Sequence, residues 1–195
     1  MKSQEQGFRP RQAGFTLIEL VVVITILGIL AAIALPKFVA LQTDARIAKL
    51  NAARGAVAAG AAVVHSAYLT RAGVADLAAC PGVVPVATAT NLINGTVCTE
   101  GGLVTLANGY PASSALGVAG IISAAGLSTA AFAPSLAQLN LEGIGASVAG
   151  AVTTISVIGG PGTAAGVNAT CSFTYTEPTA AGAAPVLAPL TTSGC

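Results

Sequence analysis

The first pattern along the chain is an uninterrupted apolar run close to the amino terminus. Residues 15–35 contain a single charged side chain, that of Glu19. As an α-helix this run would extend about 31 Å at 1.5 Å per residue, which matches the ~30 Å hydrocarbon core of a bilayer. The pattern predicts a membrane-spanning helix with an isolated carboxylate near its first turn.

Beyond Pro36 the apolar positions become periodic. Apolar side chains recur every three or four residues and share one helical face: Ile47, Leu50, Ala53, Val57, Ala61, Val64 and Tyr68. Arg71 and Gly73 are typical of a helix end, because a cation favours the carboxyl end and glycine adopts the left-handed cap. We therefore predict one helix over residues 15–72, with an amphipathic second half at 36–72.

Two residues could interrupt this helix. Pro36 lacks an amide hydrogen and its ring clashes with the carbonyl group of Ala32, which predicts a kink or a break. Gly28 is a second weak position, eight residues earlier. The sequence fits two alternatives equally well, a plain proline kink and local melting of the helix between the two residues.

From residue 73 onwards the chain contains short strand patterns and many turn signals. Asn94-Gly95 and Asn108-Gly109 are predicted turns, and the stretch Gly159-Gly160-Pro161-Gly162 ends a later strand. The predicted elements are strands at 82–87, 95–107, 149–158, 170–176 and 185–192 and a short helix at 113–125. Residues 136–149 fit either a strand or a helix. The predicted fold class is α+β, a long amino-terminal helix followed by a globular head at 73–195 that contains an antiparallel sheet.

Charge is distributed unevenly between the helix and the head. All eight Lys and Arg residues lie at or before Arg71. The head keeps four acidic side chains, a formal charge of −4: Asp76, Glu100, Glu142 and Glu177. Without cations the head cannot neutralise phosphates, so we predict no nucleic-acid binding by this surface. The low charge of the head favours a surface that packs against identical neighbours. The alternative is that low charge is simply tolerated in a secreted protein of low sequence complexity.

The residues before the apolar run are hydrophilic and basic. Lys2, Arg9 and Arg11 precede Gly14, which predicts that the amino end stays in the cytoplasm while the rest is exported. A secretory signal peptide has its cleavage site after the apolar run. In this chain the small residue, Gly14, precedes the apolar run. Cleavage after Gly14 would therefore remove a leader at 1–14 and retain the helix.

These residues resemble the prepilin signature of type IV pilins and type II secretion pseudopilins. The signature consists of Gly14, Phe15, Glu19 as the fifth residue after the cut, and Pro36 as the twenty-second. The resemblance implies the pilin fold, cleavage between Gly14 and Phe15 by a prepilin peptidase, and N-methylation of Phe15. It also implies polymerisation with identical subunits at an inner-membrane assembly platform. The stretches LPKFVALQTDARIAKLNAARGAV and NGYPASSALGVAGIISAAGL resemble the mannose-sensitive haemagglutinin type of type IV pilin.

Glu19 is the predicted assembly residue. A carboxylate costs roughly 2.5–3.5 kcal/mol in mid-membrane, so it needs a partner. The resemblance implies that Glu19 pairs with the new amine of Phe15 on a neighbouring subunit, and that the segment between Gly28 and Pro36 is extended in assembled filaments. The alternative is that Glu19 is an interfacial residue tolerated near the lipid headgroups.

Four cysteines in an exported chain favour two disulfides, and the CxxC spacing of zinc sites is absent. Three pairings are possible. Sequential pairing, Cys80 with Cys98 and Cys171 with Cys195, closes the shortest loops and is favoured. The second loop resembles the disulfide-bounded region near the pilin carboxyl terminus, which is often exposed and adhesive. A purely structural cross-link is the alternative.

The sequence contains no pattern typical of a catalytic, cofactor or metal site. His65 is the single histidine and has no carboxylate or cysteine within a helical turn, so we interpret it as a packing or surface residue. The four acids of the head are too scattered for a calcium loop, which counts against the major type II secretion pseudopilin. We predict no cofactor, no metal and no enzymatic activity.

The function predicted from the sequence is that of a structural subunit, the major pilin of a type IV pilus used in adhesion or twitching motility. It would be a single-pass protein of the bacterial inner membrane before assembly and part of an extracellular filament afterwards. A pseudopilin of a type II secretion system and a minor tip pilin acting as an adhesin are the alternatives.

Overall fold

The computed structural model describes residues 14–71, 73–80, 87–159 and 167–195. Within them lie helices α1 (Leu17–Arg71), α2 (Ile121–Ala124) and α3 (Leu136–Leu141). The strands are β1 (Thr96–Thr99), β2 (Gly102–Ala107), β3 (Tyr110–Pro111), β4 (Ile144–Ala149), β5 (Val152–Val157), β6 (Ser172–Thr176) and β7 (Val186–Leu187). A long helix followed by antiparallel strands confirms the predicted α+β class.

The chain divides into two compact units, Met1–Gln42 and Thr43–Cys195. In the first unit the described side chains of α1 are almost all exposed. The helix is continuous through Gly28 and Pro36. Local melting between these two residues is therefore not seen in the described helix.

The second half of α1 supplies the core of the second unit. Leu50, Val57 and Val64 are fully buried, and Ala53 and Ala61 nearly so. The apolar face from Leu50 to Ala61 packs against side chains of α2, α3, β4, β5 and β6. These residues are those that the three- and four-residue spacing predicts to share one face, and that prediction is confirmed.

Gly60 permits a close contact between α1 and α2. A methyl group on its Cα would lie 2.5 Å from the carbonyl oxygen of Ala124 and 2.9 Å from the amide nitrogen of Ala125. These distances are shorter than any side-chain carbon tolerates. Gly60 is therefore a packing requirement within the helix rather than a weak point of it.

The head contains antiparallel strands as predicted, arranged in two sheets instead of one. β1, β2 and β3 form the first sheet, and β4, β5, β6 and β7 form the second, each in that order. The predicted Asn108-Gly109 turn joins β2 to β3. Its two φ angles, 50° and 82°, are those of a two-residue type I′ turn.

Tyr175 connects the two sheets. It is fully buried on β6 and its hydroxyl group donates a hydrogen bond of 2.7 Å to the carbonyl oxygen of Pro111 on β3. Burial, with the nearby negative charge of Glu177, raises the pKa of Tyr175. The hydroxyl group therefore remains a donor at all ordinary pH values.

Glycines account for two boundaries that the sequence prediction places wrongly. The strand predicted at 149–158 begins at Val152, because Gly150, with a φ of 58°, turns the chain from β4 into β5. The helix predicted at 113–125 is restricted to α2. Gly117 has a φ of 85°, which does not fit an α-helix, and Gly120 precedes the first helical turn.

Proline shortens the last predicted strand. Residues 185–192 pair with β6 at Val186–Leu187, through the Ala188 amide, which donates to Thr174 at 3.0 Å, and through a single bridge between Thr191 and Ser172. Pro189 has no amide hydrogen to donate to the ladder, which interrupts the pairing.

A capping box explains how the segment at 136–149, which fits either a strand or a helix by sequence, begins. Ser135 and Gln138 exchange side-chain and backbone hydrogen bonds at the start of α3, and the chain then continues as β4. The segment is thus a helix followed by a strand. Residues 1–13 of the leader, 82–86 of a predicted strand and 160–162 of a predicted turn lie outside the described residues.

Candidate assembly site

Thr16 and Glu19 form a capping box at the start of α1. The Oε2 atom of Glu19 accepts hydrogen bonds from the Thr16 amide at 3.0 Å and from the Thr16 hydroxyl at 2.8 Å. In return, the Glu19 amide donates to Thr16 Oγ1 at 3.3 Å. These bonds satisfy amide groups that have no partner within the helix. Thr16 is thus a site residue that the sequence prediction omits, although the Thr-x-x-Glu spacing is a signature of this box.

The surroundings of Glu19 are apolar and exposed. A shallow depression of about 380 Å³ lies beside it, lined by Phe15, Ile18, Glu19, Val22 and Val23. The side chain of Phe15 is 89% exposed. Among the described residues no cation forms an ion pair with Glu19. Its carboxylate is therefore hydrogen bonded, but its charge is not paired there.

The apolar side chains of the first unit form a long uncovered surface. Within the described residues, α1 is the one helix long and apolar enough to cross a membrane, and none of its most apolar 18-residue window is buried. Apolar surface on this scale is rare on soluble monomers. It requires cover from lipid or from apolar surfaces of other chains.

Four cations of α1 that lie in the second unit are engaged with the head. Each of the four donates a hydrogen bond to a backbone carbonyl oxygen of the head. The pairs are Arg46 with Cys195 at 2.6 Å, Lys49 with Glu142, Arg54 with Ala188 at 3.2 Å and Arg71 with Cys98 at 2.8 Å. Arg71 also forms an ion pair with Asp76 at 3.3 Å. The helix therefore supplies the positive charge that the head sequence lacks.

Two disulfides hold the loops of the head. They join Cys80 to Cys98 and Cys171 to Cys195, the pairing that sequential order favours. The first attaches the segment after α1 to β1. The second positions the backbone oxygen of Cys195, which accepts the hydrogen bond from Arg46.

His65 has a packing role. Its ring stacks on that of Tyr110, with centroids 3.9 Å apart, and its Nδ1 atom lies 2.8 Å from the carbonyl oxygen of Gly109. His65 thereby holds the hairpin between β2 and β3 against α1. No group of three or more metal-ligating side chains occurs in the part of the chain that the structure describes.

Comparison with known proteins identifies the amino-terminal motif. The family model described as the prokaryotic N-terminal methylation motif matches residues 9–35. The Type IV major pilin protein PilA of Myxococcus xanthus is 56% identical over 39 residues, which are 20% of this chain and 18% of that protein. The Type IV narrow pilus major component PilA5 of Thermus thermophilus is 52% identical over 58 residues, 30% of this chain and 44% of that protein. No solved structure matches significantly.

These matches cover part of each protein, since the chain spans 18% and 44% of the length of the two relatives. They confirm the resemblance to type IV pilins that Gly14, Phe15 and Glu19 predict. The narrower resemblance to the mannose-sensitive haemagglutinin type remains a prediction. The chain carries the prokaryotic N-terminal methylation motif and is related, over part of its length, to type IV major pilins.

Proposed function

We propose that this chain is the major structural subunit of a type IV pilus. The observation that carries the proposal is the methylation motif at residues 9–35, which overlaps the start of an exposed apolar helix. The relatives that match are named as major components of pili. This favours a pilus subunit over a pseudopilin or a tip adhesin, and a structural role over an enzymatic one.

Processing follows from the position of Gly14. It lies before the first residue of α1, Leu17, and is exposed. A prepilin peptidase removes residues 1–14, and the amine of Phe15 is then methylated. The mature chain consists of the helix at 15–72 and the head at 73–195.

Assembly uses the exposed half of α1. In the inner membrane, lipid covers the side chains of residues 15–35, and in the filament the same side chains contact helices of identical subunits. Glu19 directs this exchange, because its carboxylate is held by the uncharged donors of Thr16 and is free to pair with the Phe15 amine of a neighbour. The assembly platform of the inner membrane adds subunits to the fibre, which extends from the cell surface and serves adhesion or motility.

The test is analysis of fibres sheared from cells that express the chain. We expect the main protein band to begin at Phe15 and to carry one added methyl group by mass spectrometry. A Gly14→Val variant should remain as full-length precursor in the membrane fraction. Fibre protein that begins at Met1 would contradict the processing scheme. Fibres that contain this chain only as a trace component would favour a pseudopilin or a tip protein instead.

A further inference from the structure

We propose that a groove between α1 and the head binds a small zwitterion with an aliphatic side chain, of the chemical class of a free α-amino acid such as leucine. The groove lies entirely within the second unit. Its lining includes residues of α1 and of two segments of the head: Lys49, Ala52, Ala56, Leu127, Thr129 and Glu142. The proposal concerns the single subunit and does not depend on polymerisation.

Two opposite charges line the groove without neutralising each other. Lys49 and Glu142 both belong to its lining, and among the described residues their charged groups form no ion pair. The two charges are nonetheless close enough to interact. Hydrogen bonds from Thr129 lower the pKa of Glu142, and the charge of Lys49 lowers it further by a smaller amount. The groove therefore contains a cation and an anion that a bridging ligand can pair.

Both charged groups also keep free hydrogen-bonding capacity. The ammonium group of Lys49 has three N–H donors, of which one is used by the carbonyl oxygen of Glu142. The Oε1 atom of Glu142 accepts from the amide and the hydroxyl of Thr129, at 3.3 and 2.5 Å, while its Oε2 atom accepts no hydrogen bond from the described residues. A ligand carboxylate can thus accept from Lys49 while a ligand ammonium donates to Glu142 Oε2. Such charge-assisted hydrogen bonds are among the stronger ones in proteins.

The pair of charges selects a zwitterion over a simple ion. An anion that binds at Lys49 is repelled by the carboxylate of Glu142, and a cation that binds at Glu142 is repelled by the ammonium of Lys49. A molecule with an ammonium and a carboxylate group on the same carbon atom, as in an α-amino acid, pairs with both. The groove therefore discriminates by the number and sign of the ligand's charges.

The apolar lining and the size of the groove specify the rest of the ligand. Ala52, Ala53 and Ala56 lie on one side of α1, and Leu127 and Ile144 belong to the same lining. Contact with these side chains removes an aliphatic group of the ligand from water, which favours binding. The volume of the groove is about 350 Å³, at the lower end of the range for ligand pockets. It therefore suits a small molecule and not a polymer.

The experiment is equilibrium dialysis of the full chain, purified in detergent micelles, against radiolabelled leucine. We expect saturable binding of one leucine per chain. Leucinamide lacks the carboxylate and isocaproate lacks the ammonium, so each should compete about tenfold less well, the factor that corresponds to one charge-assisted hydrogen bond. Glycine, which lacks the aliphatic side chain, should also compete less well. Competition by either singly charged analogue as strong as that by leucine would overturn the preference for a zwitterion.

Substitutions at the two charges locate the binding. Lys49→Met and Glu142→Gln keep the length of each side chain and remove its charge, so each should weaken leucine binding about tenfold. The matched controls are Lys37→Met and Glu100→Gln, which remove a charge at exposed positions outside the groove. Both controls should bind leucine as the unmodified chain does.

A third variant fills the groove without changing its charge. Ala52 is exposed on α1, so Ala52→Phe should fold normally and abolish leucine binding, whereas Ala62→Phe, at an exposed position outside the groove, should not affect it. Thermal unfolding verifies that each variant is folded. Absence of saturable leucine binding, or binding that persists in folded Lys49→Met, Glu142→Gln and Ala52→Phe chains, would overturn the site. Tighter binding of a neutral saccharide such as glucose would overturn the class of ligand. None of these results alters the proposed role of the chain in the fibre.

Discussion

At the residue scale, Glu19 has two roles that a single substitution to alanine cannot separate. Its carboxylate caps the first turn of α1 through Thr16, and its charge is proposed to attract the amine of a neighbouring Phe15. A glutamine at this position can form the same capping box but carries no charge. The pair of substitutions therefore distinguishes helix capping from charge pairing.

We predict that Glu19→Gln and Glu19→Ala both leave cleavage after Gly14 intact and both abolish most fibre assembly. The reason is that the charge, and not the cap, provides the contact with the next subunit. Glu19→Asp should be intermediate, because its charge is retained but its reach is one methylene shorter. The measurement is the ratio of sheared fibre to mature protein in the inner membrane. If Glu19→Gln assembles normally while Glu19→Ala does not, capping is the function of this residue.

A pH dependence is expected at Glu142, the residue that follows α3. The hydrogen bonds from the Thr129 side chain and amide, with a smaller contribution from Lys49, lower the pKa of Glu142 from its ordinary value of 4.5. A lowered folded pKa contributes stability that is present above 4.5 and lost as the pH falls through the folded value.

We therefore predict that Thr129→Val moves the pKa of Glu142 back towards its ordinary value and makes the melting temperature less dependent on pH between about 3 and 5. Above about pH 6 its effect should be independent of pH. The measurement is thermal unfolding at a series of pH values, with Thr99→Val as a control, because the Thr99 hydroxyl donates to the carbonyl oxygen of Gly102 and not to a carboxylate. An unchanged acid profile would show that the Thr129 bonds do not act on Glu142.

At the element scale, alanine substitutions at two glycines of α1 should change the stability of the chain in opposite directions. Gly55 is exposed and has open space around its Cα, whereas Gly60 lies against the backbone of α2. Gly55→Ala should stabilise the chain by about 0.5–1 kcal/mol, because alanine favours the helix. Gly60→Ala should destabilise it by about 1–3 kcal/mol through overpacking. Thermal unfolding of both variants provides the comparison. Equal stabilisation by the two would show that α2 shifts to accommodate the added methyl group without a loss of stability.

The disulfides give a second prediction at this scale. Peptide mapping without reduction should recover Cys80 linked to Cys98 and Cys171 linked to Cys195. Replacing Cys171 and Cys195 together by serine should cost about 2–5 kcal/mol and lower the amount of pilus through degradation of the subunit. The double variant avoids an unpaired thiol. A Cys98 to Cys171 link in fibre protein would contradict the structure of the head.

The elements that sequence patterns predict well are those fixed by local chemistry. The face of α1 from Leu50 to Val64 follows from helical spacing, and the turn between β2 and β3 follows from Asn108-Gly109. Elements fixed by packing are predicted poorly. The division of the strands into two sheets depends on pairings between distant residues, which no local pattern contains.

The candidate site shows the same division. Gly14, Phe15 and Glu19 are recognisable because the methylation motif is a short sequence pattern. The cap from Thr16 is also local and could have been predicted from its spacing. A groove of the head is lined by α1 together with residues 126–129, Glu142 and Ile144, and its existence depends on tertiary contacts that the sequence alone does not reveal.

At the scale of the whole molecule, charge and apolar surface are separated along the chain. Arg46, Arg54 and Arg71 of α1 donate to carbonyl oxygens of the head, so these cations have their partners within the second unit. Its buried core lies entirely within Thr43–Cys195. The uncovered apolar surface of α1 lies mainly in the first unit. Folding and polymerisation should therefore depend on different parts of one helix.

This separation predicts the behaviour of a truncated chain. Residues 43–195, exported to the periplasm behind a cleavable signal peptide, should form a soluble, folded monomer with both disulfides, because every residue of its core is retained. The same chain should be absent from fibres even when the full chain is co-expressed, because contacts between heads alone bury too little apolar surface. Gel filtration, non-reducing peptide mapping and analysis of sheared fibres measure the three properties. Incorporation of the truncated chain into fibres would show that the heads, and not the exposed helix, determine assembly.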